Sequence, residues 1–479
     1  MMVRVFRHHI SLYAILLAFS EMALFSVAAF FMANITLRDP GLDTGDIDLN
    51  ILVASLALSV FVTVCSIGFY SRRVTMRGGF RATQWVAAFL IVSVVLGVVF
   101  LVHWWLFSPD LRFPLTGWGA AVGIYALAAV MVRVVFDRLM RDRKVLRKRV
   151  LVLGTGSQAE KIYQVARTDD QKLFELVGFL SFGRSEERCD VQPVLSDNLR
   201  TDRYALADFA SANDVDEIVV TLRDRRRPEG KLGDGLPIWE MMDCKLRGIQ
   251  VTEFANFWER ELGKVDLKTI RPSWIIFSDG FRVSMGKRVV KRIFDIAVSA
   301  MFVLTVLPIM LLTMIAIKLD SRGPIFYSQE RVGLDGRTFS VLKFRSMRTD
   351  AEAKGAQWAS KNDDRVTRVG RFIRKTRIDE IPQILNVLKG EMSFVGPRPE
   401  RPVFVNDLDE KVPFYRERHR IKPGITGWAQ INYPYGATLE DAHEKHAFDL
   451  YYLKNIGFFL DIVILIQTVR VVLFGEGAR

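Results

Sequence analysis

Four apolar runs open the chain: Ile10 to Ala33, Ile51 to Phe69, Trp85 to Val102 and Trp118 to Val135. Each approaches the ~20 residues a helix needs to cross a bilayer, so the pattern predicts a four-helix transmembrane bundle over residues 1–140. A cleavable signal peptide has a shorter apolar core and a small-residue cleavage site, which argues against that reading of the first run. After residue 146 the period changes. "RVLVLGTGSQAEKIYQVA" passes from an apolar stretch through Gly154, Gly156 and Ala159 into a helical pattern, and "LVGFLSF" and "EIVVTL" repeat the alternation. Strands alternating with helices imply a parallel sheet, here an α/β Rossmann-like domain over residues 146–275. Another apolar run, Ile293 to Ile317, is long enough to span, but Pro308 in its middle removes a backbone donor and crowds the preceding turn. A break there makes 293–317 a re-entrant membrane helix; a kinked fifth span is the alternative. Beyond it, "FYSQERVGLDGRTFSVLKFRSM" reads as two strands about the turn Asp335-Gly336. Pro382, the apolar Ile384, Leu385 and Leu388, and Gly390 mark the start, face and end of a short helix. Residues 286–479 thus form an α+β domain with the hairpin at its head.

Charge orients these pieces. Lys and Arg outnumber Asp and Glu by 66 to 53, a net +13, which suggests polyanionic partners: nucleic acid, anionic lipid or phosphorylated substrates. Arg4 and Arg7 precede the first run, Arg72, Arg73, Arg77 and Arg81 fill the second loop, and Arg138, Arg141, Arg143 and Lys144 follow the fourth. The other loops carry Asp39, Asp43, Asp46, Asp48 and Asp110, so both ends of the bundle face the cytosol. Lys287, Arg288, Lys291 and Arg292 before the hairpin, with Lys318 and Arg322 after it, keep both its ends on the same side. Asp295 is expected at the interface, paired with neighbouring base. "LDIVILIQTVRVVLF", with Asp461 and Gln467 inside it, is short for a span and suits interfacial packing on the bilayer. Glu21 lies within the first run, where an ionisable group is either functional or held by an interhelical hydrogen bond. Three scattered cysteines, Cys65, Cys189 and Cys244, form neither a disulfide framework nor a zinc cluster, and fit a reducing cytosolic face.

The chemistry gathers after the hairpin. Asp379 and Glu380 stand just before or at a helix N-terminus, where backbone N–H groups favour ionised carboxylates and attract phosphate. One acid can attack phosphorus while its neighbour ligates Mg2+ on a pyrophosphate; capping and solvated charge are the plainer reading. Pro397-Arg398-Pro399 holds a guanidinium in a stiff turn, shaped for bidentate phosphate contact. Strand alternation sends Lys343 and Arg345 to one face, for a phosphate or for surface pairing. Arg365, Arg368, Arg371, Arg374 and Arg377 recur at helix-like spacing, but no zinc-finger or RNP signature accompanies them, so nucleic acid is not the partner expected. His443 and His446 lack a third ligand and are expected on an exposed helix. In the middle domain the second strand ends in Ser181, Phe182 and Gly183 with no acid for a ribose hydroxyl, so an NAD site and a scaffold both stand as readings.

"KRIFD", the proline-broken hairpin, "KFRSM", "TRIDEIPQILNVLKGEMSFVGPRPE" and "KPGITGWAQIN" together resemble the bacterial polyprenyl-phosphate sugar-phosphate transferases, monotopic phosphoglycosyl transferases that start exopolysaccharide and O-antigen assembly. The resemblance runs from about Lys287 to the C-terminus. The four spans and Rossmann-like domain are similar to the large members of that family. It implies that Asp379 attacks the sugar-bearing phosphate of a UDP-sugar, that UMP leaves, and that undecaprenyl phosphate then takes the phosphosugar. It further implies Glu380 as the Mg2+ ligand, Lys343, Arg345 and Arg398 on substrate phosphate, Pro308 as the hairpin break, and a cytosolic-face enzyme of the bacterial inner membrane. Leu307 stands where the family usually has Ser or Thr before that proline. A membrane-anchored nucleotide-sugar dehydratase or epimerase is the rival enzyme, but none of the eleven tyrosines has Lys four residues later. A nucleotide-sensing membrane regulator is the rival outside enzymes. The sugar, and whether the chain forms a homodimer, are left open by the sequence.

Overall fold

In a computed structural model of the chain, the described residues run from 148 to 474, except 168–173, 182–188, 196–203, 223–235, 282, 350, 352–363, 435 and 437. Before them come the four-residue strands Met2–Val5 and His8–Ser11 and positions 16, 19, 20, 23, 27, 131 and 135. Glu21, Cys65 and nearly all of the four N-terminal runs lie outside the described residues. The chain divides into two compact units between Glu261 and Leu262, so residues 262–275, which the pattern assigns to the middle domain, belong with the C-terminal one.

In the first unit, β1 (Arg149–Leu153), β2 (Glu175–Leu180), β3 (Glu217–Val220) and β4 (Gln250–Glu253) pair in parallel in the order β2-β1-β3-β4. Helices α1 (Ser157–Arg167), α2 (Ala205–Ala212) and α3 (Ile238–Leu246) connect them. Every residue from Val150 to Leu153 is fully buried, because helices cover a parallel sheet on both faces and its strands read as apolar runs. Gly154 leaves β1 at φ 121, a conformation that favours glycine. The most deeply buried acid described in this unit is Glu217. Glu217, at the head of β3, accepts from both terminal nitrogens of Arg260 at 2.8 Å and from Lys148 at 3.2 Å; burial would raise its pKa, but Arg260 outweighs burial and holds it low.

The second unit carries α5 (Pro272–Phe277), which follows α4 (Phe254–Leu262), and then the long apolar α6 (Met285–Asp320). Ser284 caps α6, and the helix bends by 59° between Val303 and Thr305. The bend lies four residues before Pro308 because the ring clashes with the carbonyl at that position and cannot donate to it. No single helix among the described residues is long and apolar enough to cross a membrane, while the two limbs of this bent helix pass that test together. Next, β5 (Phe326–Val332) and β6 (Thr338–Phe344) form the expected antiparallel hairpin, with Asp335 (φ 54) and Gly336 (φ 78) left-handed in the turn. Then follow α7 (Arg368–Lys375), a 3₁₀ turn Ile378–Gln383, α8 (Ile384–Lys389), β7 (Ser393–Val395), α9 (Pro402–Lys411), a second 3₁₀ turn Tyr415–Arg420, β8 (Gly424–Thr426), α10 (Trp428–Asn432), α11 (Leu439–Asn455) and α12 (Phe458–Phe474). β7 and β8 pair in parallel. A Cβ on Gly424 would stand 2.1 Å from the Gly396 nitrogen, so the glycines of "VGPRP" and "KPGITG" let two backbones meet.

Two sequence expectations change here, at Asp295 and His446. Asp295 is buried and accepts from Ser393 Oγ (2.9 Å) and the Phe394 N–H (3.0 Å), tying the first limb of α6 to β7 through neutral donors where base was expected. Asp461 is also buried, against Lys291 at 2.7 Å and the Tyr452 hydroxyl at 2.6 Å, so the polar end of α12 faces the protein core. His446 is fully buried, its Nε2 3.0 Å from the Phe414 carbonyl, because α11 is enclosed on all sides from His446 to Asn455. The exposed-helix reading of "DAHEKH" therefore fails at His446.

Candidate active site

Arg377 sets the geometry. Its left-handed backbone (φ 59) stops α7 and starts the 3₁₀ turn, which puts Asp379 and Glu380 inside the fold just ahead of α8. Pro382 lies within this turn, one element earlier than the helix start expected, while Gly390 (φ 88) ends α8 as its position predicts.

Glu380 is wrapped in positive charge. Its Oε1 accepts from Arg398 Nη2 at 2.8 Å and Lys343 Nζ at 3.3 Å, with Arg377 Nη1 at 3.7 Å. Burial acts to raise its pKa, but Arg398, Lys343 and Arg377 together hold it well below the usual carboxylate range. Asp379 responds in the opposite direction. Burial and the neighbouring Glu380 charge push its carboxyl up to about 6, against the pull of Lys343, Arg377 and Arg374. Its Oδ1 is buried with no hydrogen-bond partner among the described residues. Lys343 is itself lowered, by burial first, with Glu380 opposing and Arg398 adding to the shift. The site thus joins one firmly ionised acid, one acid with a bare oxygen, and several cations.

The two cations of "KFR" part company. Lys343 reaches Glu380 from the next-to-last position of β6, whereas Arg345 follows the end of β6 and turns away. Its terminal nitrogens donate to Arg322 O (3.0 Å), Ser321 O (2.8 Å) and Ser321 Oγ (2.9 Å), clamping the C-terminal end of α6. Gly323 makes room, since a Cβ there would lie 2.0 Å from Arg345 Nη1. Strand alternation stops at Phe344, so the two cations do not share a set of partners: Lys343 meets Glu380 and Arg345 meets the backbone after α6.

Two supporting groups escaped the sequence reading. Arg331 donates to Pro399 O at 3.2 Å and to Gln329 Oε1 at 2.6 Å, beside the Arg398 turn. Alternation could have found it, because Arg331 and Lys343 lie on one face of the β5–β6 pair. Arg418 is buried within "RERHR"; it donates to Arg398 O (3.0 Å) and Tyr415 Oη (2.5 Å) and pairs with buried Asp449 at 2.8 Å. Nothing local distinguishes it from its exposed basic neighbours.

The donor set suits a hard cation. Among the described residues no group of three or more His, Cys, Asp or Glu could hold a metal. Mg2+ commonly takes one or two carboxylates and completes its shell with water and substrate phosphate, which fits the bare Asp379 oxygen beside Glu380.

Residues 286–475 match the family described as bacterial sugar transferase. Among curated proteins, the chain is 41% identical over 266 residues to the UDP-N-acetylgalactosamine-undecaprenyl-phosphate N-acetylgalactosaminephosphotransferase of Aeromonas hydrophila, covering 55% of this chain and 60% of that one. It is 32% identical over 396 residues to the undecaprenyl-phosphate glucose phosphotransferase of Komagataeibacter xylinus, covering 81% and 70%. With the UDP-glucose:undecaprenyl-phosphate glucose-1-phosphate transferase of Escherichia coli K12 it shares 29% identity over 433 residues, 88% of each chain.

Proposed function

Because this chain belongs to the bacterial sugar transferase family, we propose that it moves a sugar 1-phosphate from a UDP-sugar to undecaprenyl phosphate, releasing UMP, as a first membrane step of exopolysaccharide or O-antigen synthesis. The observation that carries this reading is the unbonded, buried Oδ1 of Asp379 beside a carboxylate locked by Arg398 and Lys343. In the first step an Asp379 oxygen bonds to the sugar-bearing phosphorus, the bond from that phosphorus to the UMP oxygen breaks, and UMP leaves with the electron pair. In the second, an undecaprenyl phosphate oxygen bonds to the same phosphorus and the Asp379–phosphorus bond breaks, restoring the carboxylate. Phosphoryl transfer of this kind needs positioning and charge neutralisation, which Arg398 and Lys343 supply to the phosphates. Glu380 would hold Mg2+, whose chemistry when bound is to neutralise the pyrophosphate. The bent α6 seats as a re-entrant hairpin, keeping the site at the cytosolic boundary of the bilayer, and the four N-terminal runs cross it. The first unit, with its parallel sheet in the order β2-β1-β3-β4, acts as a scaffold.

The test is UMP release from membranes given undecaprenyl phosphate and a panel of UDP-sugars that includes UDP-glucose and UDP-N-acetylgalactosamine. Release that needs both substrates, together with labelled lipid product, is the expected result. A modified free sugar nucleotide would favour the epimerase class, and no turnover of any donor would favour the regulator.

A further inference from the structure

A second cationic group lies at the other end of α8, about 9 Å of helix from the carboxylate pair. There Arg292, in the first limb of α6, donates to Val387 O and Leu388 O, both at 2.6 Å. Lys422, from the loop before β8, comes to the same place. Its Nζ lies 3.4 Å, and the Arg292 Cζ and Nη2 3.5 Å, from the point where a Cβ of Gly390 would stand. Gly390 has none, so two cations flank a small notch over bare backbone. Lys422 is half-buried, and among the described residues its ammonium has no hydrogen-bond acceptor. Burial and then Arg292 lower its pKa, with Asp295 opposing and Lys291 adding to the shift. The nearby carboxylates are already engaged: Asp295 by Ser393 and Phe394, and Asp461 by Lys291 and Tyr452. An anion is therefore the missing partner.

The surroundings say what kind of anion. Arg292 stands on the bent apolar helix among exposed Val289, Ile293 and Ile296, at 50%, 62% and 43% exposure, and Leu388 on α8 is 38% exposed. Free phosphate would gain nothing from that belt, whereas a lipid satisfies both features at once, its phosphate on the cations and its chains along the aliphatic side chains. We propose that Lys422 and Arg292, over Gly390, bind the phosphate of an anionic membrane phospholipid at a site separate from the reaction centre. The inference rests on the membrane seating of α6 proposed above.

The test is native mass spectrometry of the full chain released from nanodiscs of phosphatidylglycerol and phosphatidylcholine, with Lys422→Met and Lys422→Arg alongside. Phosphatidylglycerol should be retained by the parent and by Lys422→Arg, and about fivefold less by Lys422→Met, the equivalent of about 1 kcal/mol for one cation at a membrane surface. Equal retention by the parent and Lys422→Met would overturn the site, as would equal retention of the two lipids. A parallel measurement adds inorganic phosphate alone and follows its 31P line width. Broadening that Lys422→Met abolishes, without any change in lipid retention, would mark a free-anion site and sink the lipid assignment. UMP release measured on the same samples keeps the readings apart: its failure in the parent counts against the proposed reaction, while lost lipid discrimination with intact release counts only against the notch.

Discussion

Asp379 and Glu380 share a turn and are both buried, yet their partners drive them apart. Glu380 has three cations within 4 Å; Asp379 has Glu380 beside it and a bare oxygen. A nucleophile must be ionised, so with its carboxyl raised to about 6, kcat/KM should fall roughly tenfold per pH unit below that value and level off above it. A pH–rate profile of UMP release checks this; a flat profile from pH 5 to 7 would remove Asp379 from the role. Asp379→Asn should lower turnover by a factor on the order of 10³ or more. Stability should move the other way. A carboxyl whose folded-state pKa rises from 3.8 to about 6 costs nothing below its ordinary value and about 3 kcal/mol once fully ionised in the fold. The Asn variant should therefore gain in Tm relative to the parent as pH climbs from about 4 to about 6, and hold that gain at higher pH. Arg418 offers a second contrast. Arg418→Met strands Asp449 and should destabilise by about 3–5 kcal/mol, whereas Arg418→Met with Asp449→Leu should restore the Tm. UMP release should stay impaired in the pair, with KM for the donor raised, because Arg398 O has lost its anchor. Full activity in the stable double variant would make Arg418 a packing residue only.

The long helix α6 is held at several places along its length. Lys291 and Asp295 fasten its first limb to β7 and α12, Arg292 fastens it to α8, and Arg345 clasps its last turn. Asp320 completes the last attachment by accepting from the Val369 N–H of α7, the element just before the turn that holds the carboxylate pair. Breaking the clasp with Arg345→Gln leaves the Ser321 and Arg322 carbonyls short of donors and should lower stability by about 1–3 kcal/mol, read as Tm in detergent. Pro308→Ala restores a backbone donor and removes the clash that bends the helix. Cysteine labelling should then find a fraction of chains with positions beyond Ile317 exposed on the opposite membrane face. Unchanged labelling would locate the cause of the bend elsewhere.

As an assembled chain, the protein combines a net charge of +13 with an apolar helix whose two basic flanks predict one shared side. The charge is not a single field. One set surrounds Glu380, one lines the foot of α6, and Glu217 with Arg260 and Lys148 closes a buried group in the first unit. Impermeant thiol reagents applied to intact cells should therefore fail to label a cysteine placed at the exposed Lys411, and should label it after permeabilisation. Labelling in intact cells would separate the carboxylate pair from cytosolic donors and end the proposed reaction.

Much of this was legible along the chain. Alternating period found the parallel sheet, Asp335-Gly336 found the β hairpin, and Asp379, Glu380, Lys343 and Arg398 were named from local pattern and come together in space. Local signals suffice where neighbours in sequence decide the outcome: a proline bends the helix that contains it, a glycine admits a turn, and strand alternation fixes which side chains share a face. They stop sufficing where the deciding partner is distant. Lys343 and Arg345 share a motif, yet one meets Glu380 and the other the Arg322 carbonyl just past α6; His446 reads as surface until packing encloses it. Which cation is buried, which acid is shifted up and which down, and which lysine is left beside an empty glycine depend on desolvation and on charges brought in from far along the chain. Those quantities exist only once the chain has folded.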